Sequence, residues 1–118
     1  MYPLISVYRC AVSGSRLYMT NLSHDKLLTQ SMDGTVLSSL EDPALRCPSA
    51  VHVSESSQLL VCGYTSNNLV QVDGERGVVT LASKEDRLCC PDSVFFSART
   101  GRLIVEHDSD NILVISTT

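Results

Sequence analysis

The feature that most constrains this chain is that it repeats itself. Three segments superpose without gaps in their apolar runs. Arg16-Leu17-Tyr18-Met19-Thr20 is followed by Lys26-Leu27-Leu28-Thr29-Gln30. Gln58-Leu59-Leu60-Val61-Cys62 is followed by Asn68-Leu69-Val70-Gln71-Val72. Arg102-Leu103-Ile104-Val105-Glu106 is followed by Asn111-Ile112-Leu113-Val114-Ile115. Leu27 and Leu69 lie 42 residues apart, and Leu69 and Ile112 lie 43 apart. Met19, Val61 and Ile104 keep the same two spacings, and Cys47-Pro48-Ser49-Ala50-Val51 matches Cys90-Pro91-Asp92-Ser93-Val94 at 43. Several landmarks on one period identify a repeat architecture, in which each unit buries its apolar faces against its neighbours.

Each unit divides into short runs. In the middle unit these are Ala50 to Val53, Leu59 to Cys62, Leu69 to Val72 and Val78 to Leu81. They are rich in Val and Leu, of strand length, and separated by Ser, Asn, Asp and Gly, the residues that reverse a chain. No run holds the i, i+3, i+4, i+7 pattern long enough for a helix, so helical repeats are excluded. Four strands in about 42 residues is the size of one blade of a β-propeller. A blade is covered on both faces by neighbours, which explains why the runs are continuously apolar rather than alternating. A seven-stranded sandwich also accounts for the strands, but gives no reason for the period.

The expected fold is therefore all-β: about three four-stranded antiparallel blades of an incomplete propeller, over residues 1-40, 41-83 and 84-118. The reading contains three first strands, three second, three third and two fourth. Closed propellers have about four to eight blades. The chain is thus expected to be a piece of a longer protein, or to close by association, two copies making a six-bladed homodimeric ring.

The units resemble NHL repeats. The resemblance rests on Pro48-Ser49-Ala50-Val51-His52-Val53, Leu59-Leu60-Val61-Cys62 and Asn67-Asn68-Leu69-Val70-Gln71-Val72. It returns in Pro91 to Phe96, Leu103-Ile104-Val105 and Asp108-Ser109-Asp110-Asn111-Ile112. The chain is also similar to the propeller part of invertebrate tripartite-motif proteins, which carry RING and B-box zinc modules upstream; neither module is in this sequence. The resemblance departs from the family where Leu69 and Ile112, rather than Arg, follow the Asn, and where His24-Asp25-Lys26 forms the first turn. It implies a module that recruits protein partners, with RNA binding as the alternative and a lactonase- or lyase-like propeller enzyme as a third. A truncated gene product without independent function is a fourth.

Composition bears on these alternatives. The net charge is −4, the pI about 5.2, aromatics are 5% and Trp is absent. Phosphate contact needs clustered Lys and Arg, and single strands need stacking platforms, so nucleic acid is disfavoured. No run reaches the ~18 apolar residues of a membrane span, and the first ten residues lack a basic region before their apolar stretch. A cytoplasmic location without membrane contact is expected. The five cysteines form no Cys-x-x-Cys pair, so no zinc site is expected; they are read as reduced, half-buried small hydrophobes.

No nucleophile elbow, His-Glu-x-x-His or phosphate loop is present. The expectation is no catalytic residue, no cofactor, no metal and no enzymatic activity. Asp108-Ser109-Asp110-Asn111 begins like a calcium loop, but Ile112 and Leu113 fill the next ligand and glycine positions; it is read as a turn. His52 aligns with Phe95 and is expected in a strand, partly buried. His24 and His107 are placed in equivalent solvated turns. The sequon Asn21-Leu22-Ser23 is expected to be unused. Propellers bind through the face that gathers the turns between second and third strands and the loops between blades. That face supplies the candidate partner-binding residues His24, Arg46, Tyr64, Asn67, Lys84, Arg87, His107 and Asp108.

Overall fold

A computed structural model describes residues 8–21, 24–54, 58–73 and 77–116. Among the described residues, eleven strands form three antiparallel sheets. β1 (Arg9–Ser13), β2 (Arg16–Asn21), β3 (Lys26–Ser31) and β4 (Val36–Leu40) make the first. β5 (Pro48–Val53), β6 (Leu59–Gly63), β7 (Asn68–Asp73) and β8 (Gly77–Ala82) make the second. β9 (Pro91–Ser97), β10 (Arg102–His107) and β11 (Asn111–Ser116) make the third. Every sheet runs in simple meander order, and one turn of 3-10 helix, Lys84–Asp86, joins the second to the third. The all-β, incomplete-propeller expectation holds, with the third sheet one strand short of the other two. No helix of the described residues is long and apolar enough to cross a membrane.

The sheets stack face to face, and two apolar seams hold them. Leu27 and Leu40 of the first sheet meet Val51, Val61, Val70, Val72 and Val78 of the second. The opposite face of the second sheet, with Ala50, Leu60, Cys62 and Leu69, meets Val94, Leu103, Val105, Phe96 and Leu113 of the third. The second sheet therefore spends both faces on burial, as its continuous apolar runs require. His52 lies partly buried with its ring centroid 5.2 Å from that of Phe95, so the two aligned positions, on the first strands of adjacent blades, touch one another. Ser49 adds a buried polar tie, donating its hydroxyl to the Pro91 carbonyl at 2.6 Å.

Two leucines outside the strands complete the seams. Leu45 and Leu88, 43 residues apart and fully buried, anchor the two loops that lead from one blade to the next. The first loop is pinned by Asp42, whose carboxylate accepts the Ala44 N–H at 2.8 Å and whose carbonyl accepts the Leu45 N–H at 2.9 Å. The second is pinned by the 3-10 turn, where Ser83 and Asp86 cap one another's backbone. Gly63 makes room for the first loop: a Cβ there would collide with Ser66 Oγ and crowd Leu45 Cδ1 at 3.2 Å.

One alignment shifts. Val51 pairs with Val61, but its counterpart Val94 pairs with Val105, not with Ile104. The second strand of the third blade is displaced by one residue, and the turn after it is one residue shorter. Asn21, Gly63 and His107 therefore occupy one position, the last residue of the second strand, and all three are buried. This corrects the placement of His107 in a solvated turn equivalent to that of His24. It also buries Asn21, the acceptor of the sequon; Leu22 and Ser23 lie outside the described residues.

Candidate partner-binding face

The turns between second and third strands are built on residues with left-handed backbone. Asp25 and Asn67 both have φ of 54°. Asn and Asp tolerate this region because their short polar side chains bond locally. Here those side chains reach the next blade instead. The Cys47 N–H donates to Asp25 Oδ1 at 2.7 Å, and the Cys90 N–H donates to Asn67 Oδ1 at 2.9 Å. Cys47 and Cys90 are themselves left-handed, at 49° and 51°. Each latch ties the turn of one blade to the first strand of its successor, 22 and 23 residues on.

The two latches differ in charge. The Cys47 N–H, helped by Arg46 at 3.2 Å, holds the Asp25 carboxyl below its ordinary range. Asn67 has no such partner, because Cys89 stands where Arg46 stands one repeat earlier. The Arg46–Asp25 and Lys26–Glu41 pairs are largely exposed and add little stability.

A polar cleft opens beside each latch. The first, of about 380 Å³, is lined by His24, Asp25, Glu41, Asp42, Pro43 and Arg46. The second, of about 330 Å³, is lined by Tyr64, Cys90, Asp92, Glu106, His107, Asp108 and Ser109. Three carboxylates line each cleft, against Arg46 and His24 in the first and His107 in the second. Tyr64 is exposed, and its electrostatic interaction with the neighbouring Cys90 pushes its hydroxyl pKa up. His107 is a wall rather than a projecting group: it is buried, and its Nδ1 accepts the Cys89 N–H at 3.2 Å.

Six of the eight expected residues thus fall on these two clefts and their latches. His24 and Arg46 line the first. Tyr64, His107 and Asp108 line the second, and Asn67 holds its rim. Lys84 and Arg87 sit on the neighbouring 3-10 turn, both exposed, with Arg87 ending it at φ 66°; they line neither cleft. Asp108 and Ser109 are both left-handed and form the tight turn that leads into β11.

Sequence reasoning missed several features. Asp92 and Glu106 line the second cleft from inside strands, where a run such as Val105-Glu106-His107 carries no turn signal. A larger cleft, of about 520 Å³, lies in the second seam at the end away from these turns, walled by Leu60, Leu81, Phe96, Leu103 and Ile115. Another, of about 300 Å³, gathers the first strands of all three sheets through Arg9, Cys10, Ala50, Val51 and Asp92 to Val94. There the Tyr8 hydroxyl stands 3.5 Å from Asp92 Oδ1, and the Arg9 guanidinium lies 4.8 Å from the Tyr8 ring centre. The cysteines are also more varied than expected. Cys62 is buried and its thiol is pushed up to about 12 by burial, whereas Cys10 and Cys89 are exposed.

No protein-family model matches the chain, and no curated protein matches it in sequence. Solved structures match in shape. A hydrazine synthase of Kuenenia stuttgartiensis superposes with a TM-score of 0.79 at 20% identity, over 98% of this chain and 34% of that one. The virginiamycin B lyase of Staphylococcus aureus superposes at 0.69 with 11% identity, over 98% and 42%. A streptogramin B lyase does so at 0.66 with 14% identity, over 98% and 43%. This chain spans about a third to two fifths of those chains. At such identities the likeness shows the fold, a β-propeller, and nothing finer. It nevertheless corrects the expectation that the chain is no enzyme: these propellers belong to enzymes, so neither the architecture nor the missing short motifs speak against catalysis.

Proposed function

We propose that the turn-bearing face is a recognition surface for a protein partner, and that the segment it receives is basic. The observation that carries this reading is the pair of latched clefts. Each has walls fixed by a side-chain bond between blades, and each carries three carboxylates. A surface ordered before binding loses less entropy on association, and complementary charge steers the partner and sets its register. The same carboxylates repel a phosphate backbone, which places RNA second. The NHL-like repeat is consistent with a recruiting module of the tripartite-motif kind, and that finer assignment belongs to this proposal.

The test compares two ends of the molecule. A photo-crosslinking residue is placed at Tyr64, on the second cleft, or at Thr100, in the turn between β9 and β10 at the opposite end. The reading expects protein adducts from position 64 that fall as salt rises and survive ribonuclease. Adducts from position 100 alone, or adducts at 64 abolished by ribonuclease, would overturn it.

A further inference from the structure

Cys89 and Cys90 are adjacent, and their sulfurs stand 3.7 Å apart, with the Cys89 thiol donating to Cys90 Sγ. Neighbouring residues of an extended strand point to opposite faces, so adjacency alone does not bring two sulfurs together. Here the left-handed backbone of Cys90, at φ 51°, turns both to one side. Both N–H groups of the pair are held from outside it. Cys89 donates to His107 Nδ1 at 3.2 Å, at the end of β10, and Cys90 donates to Asn67 Oδ1 at 2.9 Å, in the turn before β7. Cys89 is exposed and Cys90 half-buried, so the pair is open to a small reagent. The first latch has no such pair: Cys47 is preceded by Arg46, whose guanidinium is engaged with Asp25. The second thiol is therefore not a requirement of the latch itself.

We propose that Cys89 and Cys90 form a reversible thiol–disulfide site, oxidised by exchange with a small-molecule disulfide of the glutathione class, and that closing it releases the latch between the second and third blades. The inference goes beyond the partner-binding reading and does not depend on it. In the first step the exposed Cys89 thiolate attacks one sulfur of the small disulfide. That S–S bond breaks, a small thiolate leaves, and a mixed disulfide stands on Cys89. The Cys90 thiolate then attacks Cys89 Sγ, and the second small thiolate leaves. The protons given up by the two cysteines end on the two leaving thiolates. Two electrons pass from the protein to the small disulfide, which is reduced to two thiols. The hydrogen bond to Cys90 holds the Cys89 thiol above its ordinary range, which suits slow equilibration with a thiol–disulfide pool rather than fast capture of peroxide. The closed ring contains the Cys89–Cys90 peptide itself. Cα atoms of adjacent residues lie about 3.8 Å apart, closer than the roughly 4.4–6.8 Å that disulfides usually span. The bond is therefore strained and readily reduced. Closing it also draws the peptide that carries the Cys90 N–H out of its present orientation. That N–H is the donor of the latch, so the disulfide and the latch compete, and each weakens the other by the same factor.

The test equilibrates the native 118-residue chain with oxidised and reduced glutathione at a series of ratios, quenches with acid, and reads the products by peptide mass spectrometry. The wild-type chain should lose two hydrogens from the peptide that holds Cys89 and Cys90, carry no lasting glutathione there, and return to the dithiol with excess reduced glutathione. Cys90→Ser should instead keep glutathione on Cys89. Asn67→Gly, which removes the latch acceptor, should close its disulfide at a ratio about fivefold less oxidising than wild type, the equivalent of one hydrogen bond. A glutathione adduct that persists on wild-type Cys89, a disulfide from either cysteine to Cys10 or Cys47, or equal midpoints for wild type and Asn67→Gly would each overturn the proposal. If Asn67→Gly fails to fold, hydrogen exchange of the wild-type amides decides the coupling to the latch. Exchange at Cys90 should rise about fivefold on oxidation while that at Cys47 stays constant, and an unchanged Cys90 amide would overturn it.

Discussion

Asn67 performs two tasks that substitutions can separate. Its side chain accepts the Cys90 N–H at 2.9 Å, and its backbone sits at φ 54°. Asn67→Asp keeps the acceptor and reproduces Asp25, which does the same work one repeat earlier at 2.7 Å; its stability should lie within about 0.5 kcal/mol of wild type. Asn67→Gly keeps the backbone but leaves the partly buried Cys90 N–H without its acceptor, a loss of about 1 kcal/mol. Asn67→Ala loses the acceptor and adds the strain of a left-handed alanine, about 1–2 kcal/mol more, for a total of about 2–3 kcal/mol. Urea unfolding followed by far-UV circular dichroism should give midpoints in the order wild type, Asp, Gly, Ala. An Asp variant as weak as Ala, or an Ala variant equal to wild type, would refute the latch.

Leu45→Ala and Leu88→Ala empty fully buried sites between blades, and each should lower unfolding stability by about 2–5 kcal/mol; a change below about 1 kcal/mol in the same urea assay would show that these loops do not anchor the seams. Partial burial lowers the His52 pKa below its ordinary 6.5, so between that value and the lower folded one the unfolded chain binds a proton that the native chain refuses. Stability owed to His52 is therefore complete above about pH 6.5 and falls as pH drops through that window. An imidazole proton titration should show a His52 midpoint below 6.5, and an ordinary or raised midpoint would contradict its packing on Phe95. Asp33, bonded to Ser31 and to the Thr35 N–H, should titrate near 2 by carboxyl-carbon resonance. Cys10 and Cys89 should react with a thiol reagent in the native state, while Cys62 should react only on unfolding.

The repeat was legible because burial on both faces forces apolar residues at fixed positions in every unit. Leu27, Leu69 and Ile112 match in sequence for that reason, although only the first two are buried within one chain. Cys47-Pro48 and Cys90-Pro91 marked the start of a strand, but their deeper meaning, a left-handed cysteine whose N–H is held by the preceding blade, depends on Asp25 and Asn67 more than 20 residues away. The leucines beside them, Leu45 and Leu88, share the same period, but their anchoring role shows only in their full burial. His107 was misplaced because Ile104 and Val105 are equally apolar, so a one-residue shift leaves the hydrophobic pattern intact while turning every side chain to the other face. The clefts were half legible: turn residues gave His24, Tyr64 and Asp108, but Asp92 and Glu106 arrive through strand register, which no local signal records.

The central claim is that successive sheets stack face to face as propeller blades. The most direct test is a nuclear Overhauser contact between the rings of His52 and Phe95, which sit on the first strands of successive blades with centroids 5.2 Å apart. The account predicts a strong cross-peak between their ring protons, lost in His52→Ala. Its absence in a folded, well-dispersed spectrum would mean that the sheets are not stacked as described.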